Sequence, residues 1–128
     1  MRHITGMITA GVEATGAETF YIPAPCRGTV NSLRVVFDTT VAVGDTVDIQ
    51  RDSTSVNLAT TTVVTAGVEV TGTPDTTNKG LVFDPDSDTE AYTKMKMVIS
   101  ALETKNTVVG YDIEYDDSAY VEQTASEA

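Results

Sequence analysis

Residues 83–92 read FDPDSDTEAY, and place Asp84, Asp86, Asp88 and Glu90 at every second position. Oxygen ligands at that spacing are the first half of a calcium loop. Such a loop also needs Gly at its sixth position and a bidentate Glu at its twelfth. Counted from Asp84, those positions hold Thr89 and Met95. Pro85 suits a turn, and Asp favours turns because it bonds its own backbone. The expectation is an acidic surface loop joining two strands, with no defined metal site and no cofactor; a loose, weak cation site at residues 84–90 stays open, since a cation would relieve the repulsion of its close carboxylates.

Other reactive groups are sparse. His3 is the single histidine, close to the first residue, where a base is not held within reach of a nucleophile. The segment GMITAG has the glycine spacing of a phosphate loop but continues Val-Glu instead of Lys-Ser or Lys-Thr. Cys26 stands alone between Pro25 and Arg27, so it has no disulfide partner and cannot build a zinc site. Arg27 could lower its pKa, but no histidine is there to pair with it. It reads as a small half-buried residue at a strand corner. Asp112, Glu114, Asp116 and Asp117 read as the outward face of a strand, either solvated or an acidic stripe facing a basic partner. Tyr21, Tyr92, Tyr111, Tyr115 and Tyr120 could line a shallow sugar site, although packing within a sandwich is the commoner fate of such residues. Trp, the usual sugar platform, is missing. No catalytic residue is expected, and the chain is not read as an enzyme.

The elements that must position these groups are strands. The 128 residues suit one domain, and 41% hydrophobic residues suffice for a core. Thr and Val dominate, and both are stiff, β-branched residues that fit a pleated surface. The net charge of −11, from 19 acidic and 8 basic residues, repels nucleic acid and anionic membrane. No apolar run approaches membrane-spanning length, and the opening MRHITGMITAG lacks the apolar centre of a secretory signal.

Alternation of period two marks the strands. Phe20 and Ile22 share a face before Pro23 and Pro25 break the ladder. Leu33, Val35 and Phe37 alternate with Arg34 and Val36. After a Gly44-Asp45 turn, Val47 and Ile49 alternate with Thr46, Asp48 and Gln50. Val56 and Leu58 follow a turn at residues 52–54, and Val63, Val64, Val68 and Val70 continue the pattern with Gly67 at a turn or bulge. TGTPDTTNKG is a polar loop. Residues 90–104 are ambiguous. Ser87 with Glu90 matches a helix capping box, yet Met95, Met97, Ile99 and Ala101 alternate. We read a strand here, paired through a hairpin turn at ETKN with the strand Val109, Tyr111, Ile113, Tyr115. The fold class expected is all-β, an antiparallel β-sandwich, jelly-roll-like, of about eight short strands. Its parts are an N-terminal arm or edge strand (1–12), the sandwich (13–117) and an acidic tail (118–128) that frays after Val121.

The run YIPAPCRGTVNSLRVVFDTTVAVGDTVDI, with its PAPC-G-TV and GD-V-I spacing, resembles the small β-sandwich decoration, or cement, proteins of tailed-bacteriophage capsids. GVEVTGTPDTTNKG is similar to their turn region. The resemblance spans residues 4–115 and departs at LVFDPDSDTEAYTKMKM, where a second Gly-Asp turn would stand. It implies a structural virion protein, made in the host cytoplasm and bound to the outer surface of an assembled capsid. The implied partners are the major capsid protein and further copies of itself, as a homotrimer between capsid subunits, with neither nucleic acid nor membrane. An arm in residues 1–12 could add a strand to a neighbour, with Ile4, Met7 and Ile8 as its anchors. The alternative reading is a carbohydrate- or ligand-binding β-sandwich module.

Overall fold

The computed structural model describes residues 2–13, 15–39, 46–56, 66–77, 79–102 and 105–118. Nine strands follow in order: β1 (Arg2–Ala10), β2 (Gly16–Pro23), β3 (Gly28–Phe37), β4 (Val47–Arg51), β5 (Thr54–Ser55), β6 (Val70–Gly72), β7 (Val82–Phe83), β8 (Lys94–Leu102) and β9 (Thr107–Asp116). One short 3₁₀ turn, Glu90–Tyr92, precedes β8. The Gly44-Asp45 turn, Leu58, Val63, Val64, Tyr120 and Val121 lie outside the described residues, as do Glu103 and Thr104 of the expected hairpin turn.

The strands form two antiparallel sheets, and the chain is all-β. One sheet has the order β1-β9-β3-β6, with β7 beside β6 along the same edge of β3; the other has the order β2-β8-β4-β5. The pairing is nested. β1 pairs with β9, β2 with β8, β3 with β6 and β4 with β5, as if one long hairpin had been rolled up. That is the topology of a jelly roll, with β7 as an addition.

The inner faces meet the period-two expectation. Val30, Leu33, Val35 and Phe37 of β3 and Val109, Ile113 and Tyr115 of β9 face Ile22 of β2, Val47 and Ile49 of β4 and Met95, Met97 and Ile99 of β8, and all are buried. β3 carries a register shift between Val30 and Ser32, a bulge that turns Asn31 outward.

Residues 94–102 form a strand, and the helical alternative falls. The capping-box pattern is a local turn instead: the Ser87 hydroxyl accepts from the Thr89 N–H at 3.1 Å, and no side chain caps the 3₁₀ turn. The expected hairpin is corrected. β8 and β9 do not pair with each other; they are central strands of opposite sheets. The two strands therefore lie in different layers, about 10 Å apart instead of the ~4.8 Å between paired strands. Both strands bury an apolar face, and placing the two faces against each other buries both at once.

Residues 2–10 are a full strand. β1 pairs with β9 without interruption, from Arg2 opposite Tyr115 to Ala10 opposite Thr107. Ile4 and Ile8 turn inward and pack on the core, and Met7 turns out to solvent, 77% exposed.

Candidate functional site

The outer face of the five-stranded sheet brings together the ionisable side chains His3, Arg34, Glu69, Asp112 and Glu114. Register places Thr5, Asp112, Arg34 and Thr71 in one cross-strand row over β1, β9, β3 and β6. The next row holds Met7, Gly110 and Val36. Gly110 has no side chain, so Met7 and Val36 stand as walls of a broad, shallow depression of about 650 Å³ that Arg34, Glu69 and Asp112 border on one side.

Within it Arg34 Nη2 donates to Asp112 Oδ2, and Arg34 Nη1 lies 3.6 Å from Glu69 Oε1. His3 Nδ1 is 2.9 Å from Asp112 Oδ1. The Arg34 hydrogen bond, reinforced by His3, holds the Asp112 carboxyl below the usual carboxylate range despite some desolvation. In turn Asp112, with Glu69, raises the Arg34 pKa. One row above, Asn31 donates to Glu114. The expected acidic stripe is therefore largely matched within the chain. Asp112 is met by Arg34 and His3, and Glu114 by Asn31. Asp116 accepts from the Ser118 hydroxyl at 2.7 Å and the Ser118 N–H at 3.1 Å, which lower its pKa.

Asp117 is not on this face. Period two puts it on the inner side with Ile113 and Tyr115, and it is 9% exposed. Its Oδ2 accepts from Arg2 Nε at 3.1 Å and from the Cys26 thiol at 3.5 Å. Burial first, then the Asp117 carboxylate, push the Cys26 thiol up. A thiol held protonated is not a nucleophile. The cluster instead fastens the start of β1 and the end of β9 to the β2–β3 corner.

The acidic loop is organised by its own backbone. The Asp84 carboxylate accepts from the Asp86 N–H at 2.9 Å and lies 3.8 Å from Arg27 Nε. The Asp84 N–H donates to the Tyr92 carbonyl at 3.0 Å, closing the loop ahead of β8. Among the described residues no three His, Cys, Asp or Glu side chains converge to hold a metal ion.

The tyrosines disperse. Tyr115 is fully buried, its hydroxyl donating to the Cys26 carbonyl at 2.7 Å, with the Phe83 carbonyl 3.3 Å away. The Tyr111 ring lies against Gly6, where a Cβ would come within 2.8 Å of its ring carbon. Tyr92 stacks under the Arg51 guanidinium, 4.0 Å from the ring centre, and Arg51 also donates to the Val82 carbonyl at 3.1 Å. Tyr21 alone of the four is exposed, on β2 beside Lys94 and Lys96. Tyr120 lies outside the described residues.

The sequence reading missed the Arg34–Asp112 pair and the Arg2–Asp117–Cys26 cluster. Only the inward parity of Asp117 was visible in the pattern. Compared with protein-family models, with curated proteins and with solved structures, the chain has no match.

Proposed function

We propose that this chain is a non-catalytic structural protein of the virion, bound to the outside of an assembled phage capsid and bracing it, as the resemblance in residues 21–49 implies. The observation that carries the reading is that this stretch runs through β2, β3 and β4 of a jelly roll, the fold class the resemblance implied. Fold by itself assigns no function, so the side chains must agree. On the outer face of the β1-β9-β3-β6 sheet His3, Arg34, Glu69, Asp112 and Glu114 are taken up in contacts within the chain, and the depression over Gly110 is open and shallow, unlike a pocket with converging polar groups. A charge of −11 opposes contact with packaged DNA and suits the outer surface. Many weak contacts to a repeating lattice add up by avidity. The partners under this reading are the major capsid protein and further copies of the chain, with a trimer as the implied unit. The carbohydrate-module reading loses support because Tyr115 is buried and the Tyr111 ring packs on Gly6, which leaves Tyr21 as the one tyrosine among those described that is mainly exposed.

The experiment is co-sedimentation of purified protein with phage heads that lack it. Saturable binding and a higher temperature of head disruption are expected. Protein that stays in the supernatant at all concentrations removes the proposal.

A further inference from the structure

The sheets expose edges, and all but one of the longer ones are defended. β2 carries a register shift between Gly16 and Glu18, a carboxylate at Glu18 and Pro23 at its end. β5, β6 and β7 are two or three residues long. Bulges, inserted charge, proline and shortness are the usual protections against edge pairing. β1 has no bulge and no proline and is not short, and its charge, Arg2, stands at its first residue, held by Asp117. It is nine residues long, regular in register, without proline, and paired only on its β9 side among the described residues.

β1 is also self-complementary. Its sequence RHITGMITA is centred on Gly6. Antiparallel pairing of two copies about Gly6 places Ile4 opposite Ile8 of the second copy, Thr5 opposite Met7, His3 opposite Thr9 and Arg2 opposite Ala10. Apolar meets apolar on the inner face, and no charge meets a like charge. A one-residue slip would set inward residues against outward ones. The strand contains no Asp or Glu in a chain of net charge −11, so two copies can approach here without opposing carboxylates. Ile4 and Ile8 are only partly buried at this edge, and a second strand would complete their cover. Gly6 leaves the axis free of side chains, with Tyr111 of each copy covering its inner side.

We infer that the free edge of β1 is the contact site for a second copy of this chain, paired antiparallel across a two-fold axis at Gly6 into one continuous ten-stranded sheet. The interface is isologous, so every contact occurs twice. It gives an even-numbered assembly: a dimer, or a hexamer if trimers form through another surface. The inference does not depend on head binding.

Native mass over a dilution series tests it with two variants of the same exposed residues. Thr5→Lys with Met7→Lys sets lysine against lysine twice across the axis. Thr5→Glu with Met7→Lys sets glutamate against lysine twice. The natural protein is expected to be dimeric or hexameric. The lysine pair is expected to weaken the contact at least about tenfold and the charge-reversed pair to retain it. A natural protein that is monomeric or purely trimeric overturns the inference. So does a lysine variant with undiminished assembly, or equal dissociation of both variants. Hydrogen exchange on the natural protein gives a reading free of mutational effects. Amides of β1 should gain protection as concentration rises, and protection independent of concentration overturns the inference.

Discussion

Gly28 shows how one residue positions a corner of the sandwich. A Cβ there would lie 2.6 Å from the Asp116 carbonyl and 2.6 Å from the Tyr115 ring. The close approach lets the buried tyrosine reach the Cys26 carbonyl. Gly28→Ala is expected to cost about 1–3 kcal/mol by overpacking. Tyr115→Phe removes the donor shared by two carbonyls and is expected to cost about 1–2 kcal/mol. Urea denaturation measures both, and wild-type stability in either would refute this account of the corner. Arg34 makes a separate prediction on the outer face. Because Asp112 has a lowered pKa when folded, its pairing contributes fully above about pH 4. The contribution is lost as pH falls from there through the lowered folded-state value. Arg34→Met should return the Asp112 carboxyl toward the ordinary range, as followed by carboxylate NMR titration, with little change in stability because the pair is at the surface. An unmoved titration would show that Arg34 is not the cause.

At the scale of the element, β8 is the informative strand. Its sequence KMKMVISAL satisfied both a helical and a strand pattern. Pairing decided the matter, since β2 and β4 hydrogen-bond to its two sides, with Phe20 and Ile49 both opposite Met97. Met97 is fully buried, whereas its neighbour Lys96 is not. Met97→Ala should therefore cost about 2–5 kcal/mol, and Lys96→Ala should stay within about 0.5 kcal/mol. Thermal or chemical melts check the contrast, and similar costs at the two positions would mean that the strand's faces are wrongly assigned. The alternation of Leu33, Val35 and Phe37, of Val47 and Ile49, and of Val109, Ile113 and Tyr115 was legible because a strand's faces follow from local geometry.

For the whole molecule, the excess of 19 acidic over 8 basic residues sets the behaviour in solution. Self-repulsion lowers the stability of the compact state at low salt, where screening is weak. Raising salt from about 10 mM to physiological strength should raise the melting temperature by a few degrees, on the order of 1 kcal/mol. A fall on adding salt would mean that the surface ion pairs outweigh the net charge. Under the proposed function the same excess suits an exterior position on a head, and the inferred contact at the acid-free β1 edge would join two copies at least electrostatic cost.

Taken alone, the amino-acid sequence determined the class of fold, the turns at Gly67 and around Asp84, and the apolar residues that face inward along β3, β4, β8 and β9. These follow from side-chain size, backbone freedom and period two, all local properties. Only the tertiary structure decided which strands are neighbours. It placed β8 and β9 in different sheets, made β1 an edge, and joined Arg34 to Asp112 and Arg2 to Asp117 across more than 75 residues of chain. Hydrogen-bond partners in a sheet are chosen by the simultaneous burial of every apolar face, which no single stretch of the chain can specify.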